Sequence, residues 1–414
     1  MNIKVLHVST KDSGGAAVAG IRLHKGLLRE GVDSNFLFYE KKTAEIESSY
    51  YWKQKENSLK QQLINKLTLR PTVSQKNKQK LRNIPRDYDM FSFADGEVDI
   101  TQHPLYKQAD IINLHWVPRF LDYPSFFKQC NKPVVWTLHD MNPFSGGFHY
   151  KRDWEKSEGK IRKIDRQIFS IKKEVYEQCD SLSIVAPSRW LYEEAQKSEL
   201  LKKFPAYHIP YGVDTSVFKP HDRAFARNVF NLPTDKKILL FISDSLKNER
   251  KGFDLLLQAL SFINDSSLYL CAVGNANVDT KHLSNINSLG RINDERLISL
   301  LYSACDAFVL PSREDNLPNV LLEATACGTP VIAFPIGGVP DVIKEGKNGI
   351  LAEEVSDASL REAVTEFLSN RYHFDREKIH KAAAANYHLD KQAESYIELY
   401  NNLLTNSIAN EKNN

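Results

Sequence analysis

The sequence predicts an α/β protein built from two Rossmann-like domains. Three observations carry that prediction. The chain has 414 residues, more than a single hydrophobic core ordinarily serves. Short apolar runs bounded by turn residues alternate with helical patterns, as parallel strands with crossover helices require. The runs also fall into two sets, separated by a stretch rich in turn and breaker residues.

The first set holds the strand candidates Ile3 to Val8, Asn35 to Tyr39, Ile111 to His115, Val134 to Leu138, Leu182 to Ala186 and Tyr207 to Pro210. The second holds Lys237 to Ile242, Leu268 to Val273, Ala307 to Leu310, Pro330 to Phe334 and Gly349 to Leu351. Between them Pro210-Tyr211-Gly212-Val213-Asp214 and Pro220 interrupt regular structure, and Asn231-Leu232-Pro233-Thr234-Asp235 restarts it. The expected organisation is a first domain over 1–216, a linker over 217–236, a second domain over 237–385, and a helix over 386–404 that packs back on the first domain. Residues 405–414 form a polar tail with too few apolar side chains to pack.

Two segments depart from the alternation. Residues 41–90 carry twelve Lys or Arg against five Asp or Glu, an insertion with a basic face. It is either a solvated helical excursion or a surface that meets an anionic acceptor or phospholipid headgroups. From Lys151 to Lys173, the spacing of Ile161, Ile164, Ile168 and Ile171 predicts one amphipathic helix.

Composition narrows the function classes. With 55 basic and 52 acidic side chains, nothing points to a nucleic-acid partner. The cysteines Cys130, Cys179, Cys271, Cys305 and Cys327 are odd in number and far apart, which disfavours disulfide frameworks and zinc sites. Zinc through His115, His139 and His149 lacks the H-x-x-x-H spacing. Asp87-Tyr88-Asp89 is formally a D-x-D metal motif, but it sits in the basic insertion and reads as coincidence. Met1 leads straight into a strand-like run without a secretory leader, so a cytoplasmic location is expected. No apolar run reaches about 18 residues, the length a spanning helix needs. Membrane contact is then expected only as peripheral association at the inner face, through the basic insertion.

Chemistry-bearing residues cluster just after strands. Gly14-Gly15 follows the first strand and opens a helix, a turn whose free N–H groups suit phosphate, although it lacks the G-x-G-x-x-G of dinucleotide sites. His139 lies at the carboxyl end of a buried strand, where open α/β sheets bind ligands, and the segment Trp136 to Tyr150 around it is rich in Gly, Asn and aromatics. Read without a ligand, His139 only satisfies loop carbonyls. Arg250-Lys251-Gly252-Phe253-Asp254 sits at a strand-to-helix crossover; its adjacent cations suit a diphosphate, or are simply solvated. Val273-Gly274-Asn275 and Leu289-Gly290-Arg291-Ile292 are further turns on the same edge.

The densest constellation is Pro311 to Pro330. There Asp315, Asn316 and Leu317 occupy a polar loop and Glu323 lies among apolar helix neighbours. Such a carboxylate needs donors nearby, and ribose hydroxyls are suitable ones.

These motifs, together with Ala186-Pro187-Ser188-Arg189-Trp190-Leu191, resemble the retaining glycosyltransferases of family four, most closely the branch that assembles colanic-acid-type bacterial surface polysaccharides. The resemblance spans nearly the whole chain. It implies the GT-B fold, two facing Rossmann-like domains with a cleft between them, and transfer of a sugar from a UDP- or GDP-linked donor to a saccharide or lipid-linked saccharide acceptor. It further implies that Glu323 holds the ribose, Asp315 faces the donor sugar, and Lys251 meets the diphosphate. His139 contacts the transferred sugar, Gly14 and Gly15 close over the phosphates, and Asn275 and Ile292 lie beside ribose and base, with Asn316 and Leu317 offering N–H groups. Two positions depart from the family pattern: Asp315 stands where Glu is usual, and Ser243-Asp244-Ser245 stands where an Arg is usual. Arg250 is expected to supply that missing cation.

On this reading no metal or resident cofactor is needed, because Arg250, Lys251 and helix N–H groups stabilise the departing diphosphate. The acceptor attacks from the face the leaving group vacates, so configuration is retained. Two rival classes stay open: a non-catalytic scaffold that binds carbohydrate or sugar nucleotide, and a nucleotide-sugar epimerase or oxidoreductase.

Overall fold

A computed structural model describes residues 3–41, 46–52, 71–275 and 285–411, with side chains through Asn406. Residues 42–45 and 53–70 of the basic insertion lie outside the described residues. The chain divides into two units. The first comprises Met1–Pro187, Leu191–Ile209 and Ala393–Asn414; the second comprises Ser188–Trp190 and Pro210–Gln392.

In the first unit seven strands, β1 (Lys4–Lys11), β2 (Asp33–Glu40), β3 (Ser49–Tyr51), β4 (Ile111–Leu114), β5 (Val134–Thr137), β6 (Leu182–Ala186) and β7 (Ala206–His208), form one sheet in the order β3-β2-β1-β4-β5-β6-β7. Every pairing is parallel. Strands β4, β5 and β6 are buried throughout, which is why they read as continuous apolar runs rather than alternating ones. The chain leaves β1 in one direction for β2 and β3, then returns to the other side of β1 for β4. That reversal opens a crevice at the carboxyl ends of β1 and β4.

The helix Leu389–Glu411 closes the core of this unit with Ala393, Tyr396, Leu399 and Tyr400, packed with Val5, Leu23, Leu27, Ile111 and Val135. Two polar strand residues make that contact specific. Asn113 Nδ2 donates to the Tyr400 hydroxyl at 2.7 Å, and Thr137 Oγ1 shares a hydrogen bond with the Tyr396 hydroxyl at 2.8 Å. Four buried polar groups thereby satisfy one another. The helix runs past the expected limit at Leu404 into the segment read as a polar tail.

The second unit holds β8 (Lys237–Ser245), β9 (Leu268–Asn275), β10 (Ile286–Ser288), β11 (Ala307–Leu310), β12 (Val331–Ala333) and β13 (Gly349–Leu351), parallel in the order β10-β9-β8-β11-β12-β13. Its reversal lies between β8 and β11. The core packs the helix Phe253–Ser261 onto β8, with the Phe253 and Phe241 rings 4.8 Å apart.

Two expectations are corrected. Residues 217–236 are not a free linker but part of the second unit. They hold the helix Arg223–Val229, bury Phe218, Ala226 and Leu232, and place the buried Arg227 2.8 Å from the Asp306 carboxylate. The helix expected over 151–173 is two helices, Lys151–Lys156 and Gly159–Glu177. The chain breaks before Gly159, whose φ of +63° is left-handed. Ile161, Ile164 and Ile168 are buried as their spacing requires, but Ile171 is 40% exposed and Lys172 is the buried neighbour.

Among the described residues no helix is long and apolar enough to cross a membrane.

Candidate active site

In the second unit the candidate residues gather at the reversal of the sheet. After β8 the chain makes a short turn in which Asn248 Oδ1 accepts from the Arg250 N–H at 3.0 Å. Gly252 then takes φ +71° so that the helix Phe253–Ser261 can start. A Cβ on Gly252 would lie 1.8 Å from the Pro311 carbonyl oxygen, so no other residue lets this turn approach the loop after β11. The Arg313 N–H donates to the Arg250 carbonyl at 2.7 Å. The Arg313 guanidinium grips Asp254 with two bonds of 2.7 and 2.6 Å, a fork geometry that fixes orientation as well as distance.

The join sets Lys251 Nζ 2.5 Å and Arg250 Nη1 3.4 Å from the same oxygen of Asp315. Arg250 Nη1 also donates to the Glu314 carbonyl at 2.9 Å, and Asp315 Oδ1 accepts from the Asn316 N–H at 3.1 Å. Burial opposes the charge on Asp315, yet Lys251 and then Arg250 hold its carboxyl below the ordinary value. Asn316 Oδ1 accepts from the Ser188 hydroxyl at 2.6 Å, within the same unit. Arg250, Lys251 and Asp315 are thus brought together, with two cations facing one carboxylate.

Glu323 follows one turn into the helix Asn319–Ala326 and is 7% exposed, with the Tyr302 hydroxyl donating to it at 3.3 Å. Leu317 is buried. Asn275 is exposed at the end of β9, and Ile292 is half-buried in the loop before the helix Glu295–Ala304. Residues 276–284, between these two positions, lie outside the described residues. The segment Ser243-Asp244-Ser245 closes β8, with Asp244 exposed.

In the first unit Gly14 caps the helix Gly15–Arg29, and both glycines are exposed. His139, just beyond β5, ends a line of imidazoles that spans three neighbouring strands. His7 Nδ1 is 2.9 Å from His115 Nε2, and His115 Nδ1 is 3.1 Å from His139 Nε2. Burial lowers the pKa of all three, His139 to about 4 and His7 and His115 well below the ordinary histidine value. The rings are therefore neutral near pH 7, each with one N–H and one lone pair.

Neutrality gives the line a direction. His7 Nε2 is buried without a partner among the described residues. A buried lone pair left unmatched costs less than a buried N–H left unmatched. His7 therefore donates through Nδ1, His115 accepts at Nε2 and donates through Nδ1, and His139 accepts at Nε2. The proton of His139 is on Nδ1.

The loop that follows is pinned from beneath. His149 bonds Asp140 at 2.6 Å and Ser92 at 2.7 Å, using both ring nitrogens. Burial opposes the charge on Asp140, but His149 holds its carboxyl below the ordinary value. Lys172, lowered by burial to about 7, lies 2.5 Å from the Asn142 carbonyl, 3.3 Å from that of Ser145 and 2.8 Å from that of Gly146.

Sequence reading missed four of these features: the His7–His115 line, the Arg313–Asp254 fork, Tyr302 against Glu323, and Lys172 under the loop. The first and third join residues from separate strands or helices, and no local spacing announces them. Lys172 had a signal, since a lysine one residue after Ile171 disputes which side of that helix is buried.

Residues 222–386 match the profile of the family described as "Glycosyl transferases group 1". A D-inositol 3-phosphate glycosyltransferase of Mycolicibacterium smegmatis is 31% identical over 172 residues, 38% of this chain and 38% of that protein. An uncharacterized glycosyltransferase of Methanocaldococcus jannaschii, MJ1178, is 34% identical over 128 residues, 29% of this chain and 36% of that protein. The chain thus spans well under two thirds of the length of these curated relatives. The fold likeness covers nearly the whole chain. The sucrose-phosphate synthase tll1590 of Thermosynechococcus elongatus superposes with a TM-score of 0.68 at 17% identity, covering 97% of this chain and 99% of that one. Anabaena Alr3699/HepE in complex with UDP-glucose gives 0.65 at 15% identity, with 97% and 100% covered. The architecture is the α/β GT-B fold, with a parallel Rossmann-like sheet in each unit.

Proposed function

We propose that this protein is a glycosyltransferase that takes a sugar from a UDP- or GDP-linked donor and transfers it, with retention, to a saccharide or lipid-linked saccharide acceptor in bacterial surface polysaccharide synthesis. The observation that carries this reading is the cluster of Arg250 and Lys251 around Asp315 at the reversal of the second sheet, inside the segment that matches the glycosyltransferase profile.

Lys251, as a point charge, meets the diphosphate of the donor, and Arg250 supports it while anchored to the Glu314 carbonyl. Their fixed positions stabilise charge as the sugar–phosphate bond breaks, without reorganisation at that moment. Asp315 turns to the sugar hydroxyls as the diphosphate takes over the cations. Glu323 receives the ribose hydroxyls, with Asn275 and Ile292 beside ribose and base and the Asn316 and Leu317 backbone near the phosphates. Gly14 and Gly15 offer helix N–H groups to phosphate. The acceptor hydroxyl attacks on the face the diphosphate leaves, and a phosphate oxygen takes its proton. His139 offers Nδ1–H to the transferred sugar. Its Nε2 is occupied by His115, so it orients and polarises and does not act as nucleophile or base through that atom. On this reading the chain's own cations perform the task a metal would otherwise perform.

A second reading, a scaffold that binds sugar nucleotide without turnover, draws on the same cluster. Asp315 already offsets one of the two cations, and Ser243-Asp244-Ser245 supplies none. A donor panel decides. Release of free nucleoside diphosphate from at least one UDP- or GDP-sugar supports the enzyme; binding without release across the panel supports the scaffold.

A further inference from the structure

The first unit contains a cavity of about 400 Å³ that the donor chemistry does not use, within the size range of pockets for small ligands. One wall is the loop that carries His139: Met141, Ser145, Gly146 and Phe148 all line it. The other walls are aromatic and cationic, with Tyr150 at the N-cap of the helix Lys151–Lys156, Trp154 within it, and Phe169 and Arg166 from the helix Gly159–Glu177.

Three features show a pocket built ahead of its ligand. Trp154 is 42% exposed, yet its ring is held by the Arg162 guanidinium, 3.8 Å from its centroid. Arg162 is in turn fixed by Nε to the carbonyl and hydroxyl of Ser157 at 2.9 and 2.8 Å. The loop wall is rigid: Lys172 holds its carbonyls from below, and Asp165 Oδ1 accepts the Gly147 N–H at 2.7 Å. Gly146 is where it packs hardest, since a Cβ there would lie 2.1 Å from Asp165 Oδ1.

The charges on the walls are unequal in availability. Asp165 is 4% exposed and turned to backbone N–H groups, and burial raises its pKa. Glu194 lies 3.7 Å from Lys197. Against them stand Lys151, itself 3.6 Å from Glu155, Arg162, engaged with Trp154 and Ser157, and the exposed Arg166, whose guanidinium has no protein partner among the described residues. Aromatic faces carry negative charge density that suits the slightly positive C–H face of a sugar ring, and a guanidinium suits carboxylate or phosphate.

We infer that this cavity binds a saccharide carrying a negative charge, its ring against Trp154 and its anionic group at Arg166. Because one loop forms both the wall of the cavity and the seat of His139, this saccharide is the acceptor of the transfer; that word rests on the glycosyltransferase reading, whereas the binding itself does not.

The test is direct binding to the full-length protein without donor, followed by the indole N–H resonance of Trp154, assigned with Trp154→Phe. The probes are methyl glucuronoside, a sugar 1-phosphate, their neutral methyl glycoside and anionic phosphatidylglycerol vesicles. The expected result is saturable perturbation of the Trp154 resonance by an anionic sugar, with Arg166→Ala weakening that binding about tenfold, the scale of one charge-assisted hydrogen bond. The neutral glycoside is expected to change less than twofold. A response to the glucuronoside alone assigns a uronic acid acceptor, and one to the sugar phosphate alone assigns a phosphate-linked acceptor. The proposal is overturned if no anionic sugar perturbs Trp154, if Arg166→Ala leaves anionic binding unchanged, or if only vesicles perturb it. Donor hydrolysis in the same preparation reports separately on the glycosyltransferase reading.

Discussion

The two units solve the same topological problem with opposite electrostatics. At the reversal of the second sheet the chain gathers formal charges, two cations on one carboxylate. At the reversal of the first it gathers neutral imidazoles, each made uncharged by burial and joined to its neighbour. Fixed charges bind an anion strongly and are rearranged by it. A neutral hydrogen-bonded line binds little by itself, but it fixes which atom of His139 carries a proton. Under the proposed function the charges at Lys251 and Arg250 serve the donor's phosphates, and the fixed proton of His139 serves the sugar.

That comparison breaks most readily at Gly252. Replacing it with alanine forces a left-handed φ on a Cβ that already meets the Pro311 carbonyl. The expected cost is at least about 3 kcal/mol, the scale of combined strain and overpacking. A guanidinium-induced unfolding curve should show the second unit destabilised and donor binding lost, and an unchanged curve would remove the turn from the account. A smaller effect is expected at His115. Its replacement by phenylalanine leaves His139 without the donor to Nε2, and turnover should fall about tenfold with donor affinity unchanged. His115→Asn, whose amide N–H can stand in for Nδ1–H, should recover part of kcat. Equal losses in both variants would make the line merely structural.

Acidity also separates the units. His139 titrates at about 4 when folded, below the ordinary histidine value of about 6.5. Its neutral state therefore supports folding fully above pH about 6.5, and this contribution is lost as pH falls toward about 4, because the unfolded chain takes up the proton first. His7 and His115 act in the same sense. The melting temperature of the first unit should drop across that window. A flat profile would contradict neutral, linked imidazoles.

Much of this was readable in advance because much of it is contiguous. The stretches 250–254 and 311–323 bear their chemistry in single loops after apolar strands, so strand prediction alone put them on one sheet edge. The buried strands β4, β5, β6 and β11 were legible as unbroken apolar runs. The edge strands β3 and β10 were not, being three residues each with polar members and partial exposure. His7, His115 and His139 were illegible as a set, since they meet only through register: β1 beside β4, with Val8 opposite Leu114, and β4 beside β5, with Leu114 opposite Trp136. The segment 217–236 misled because its prolines and polar residues look like a linker, while Arg227 makes it integral by bonding Asp306 and the Ala304 carbonyl.

Under the proposed function Lys251 and its partners receive the donor's diphosphate. Calorimetric titration of the intact protein and of Lys251→Ala with the UDP- or GDP-sugar that the donor panel selects tests it most directly. Saturable binding to the intact protein and a loss of ten- to a hundredfold in the variant are expected, about 1.5 to 3 kcal/mol for a charged hydrogen bond. Equal affinity in the two proteins would contradict it.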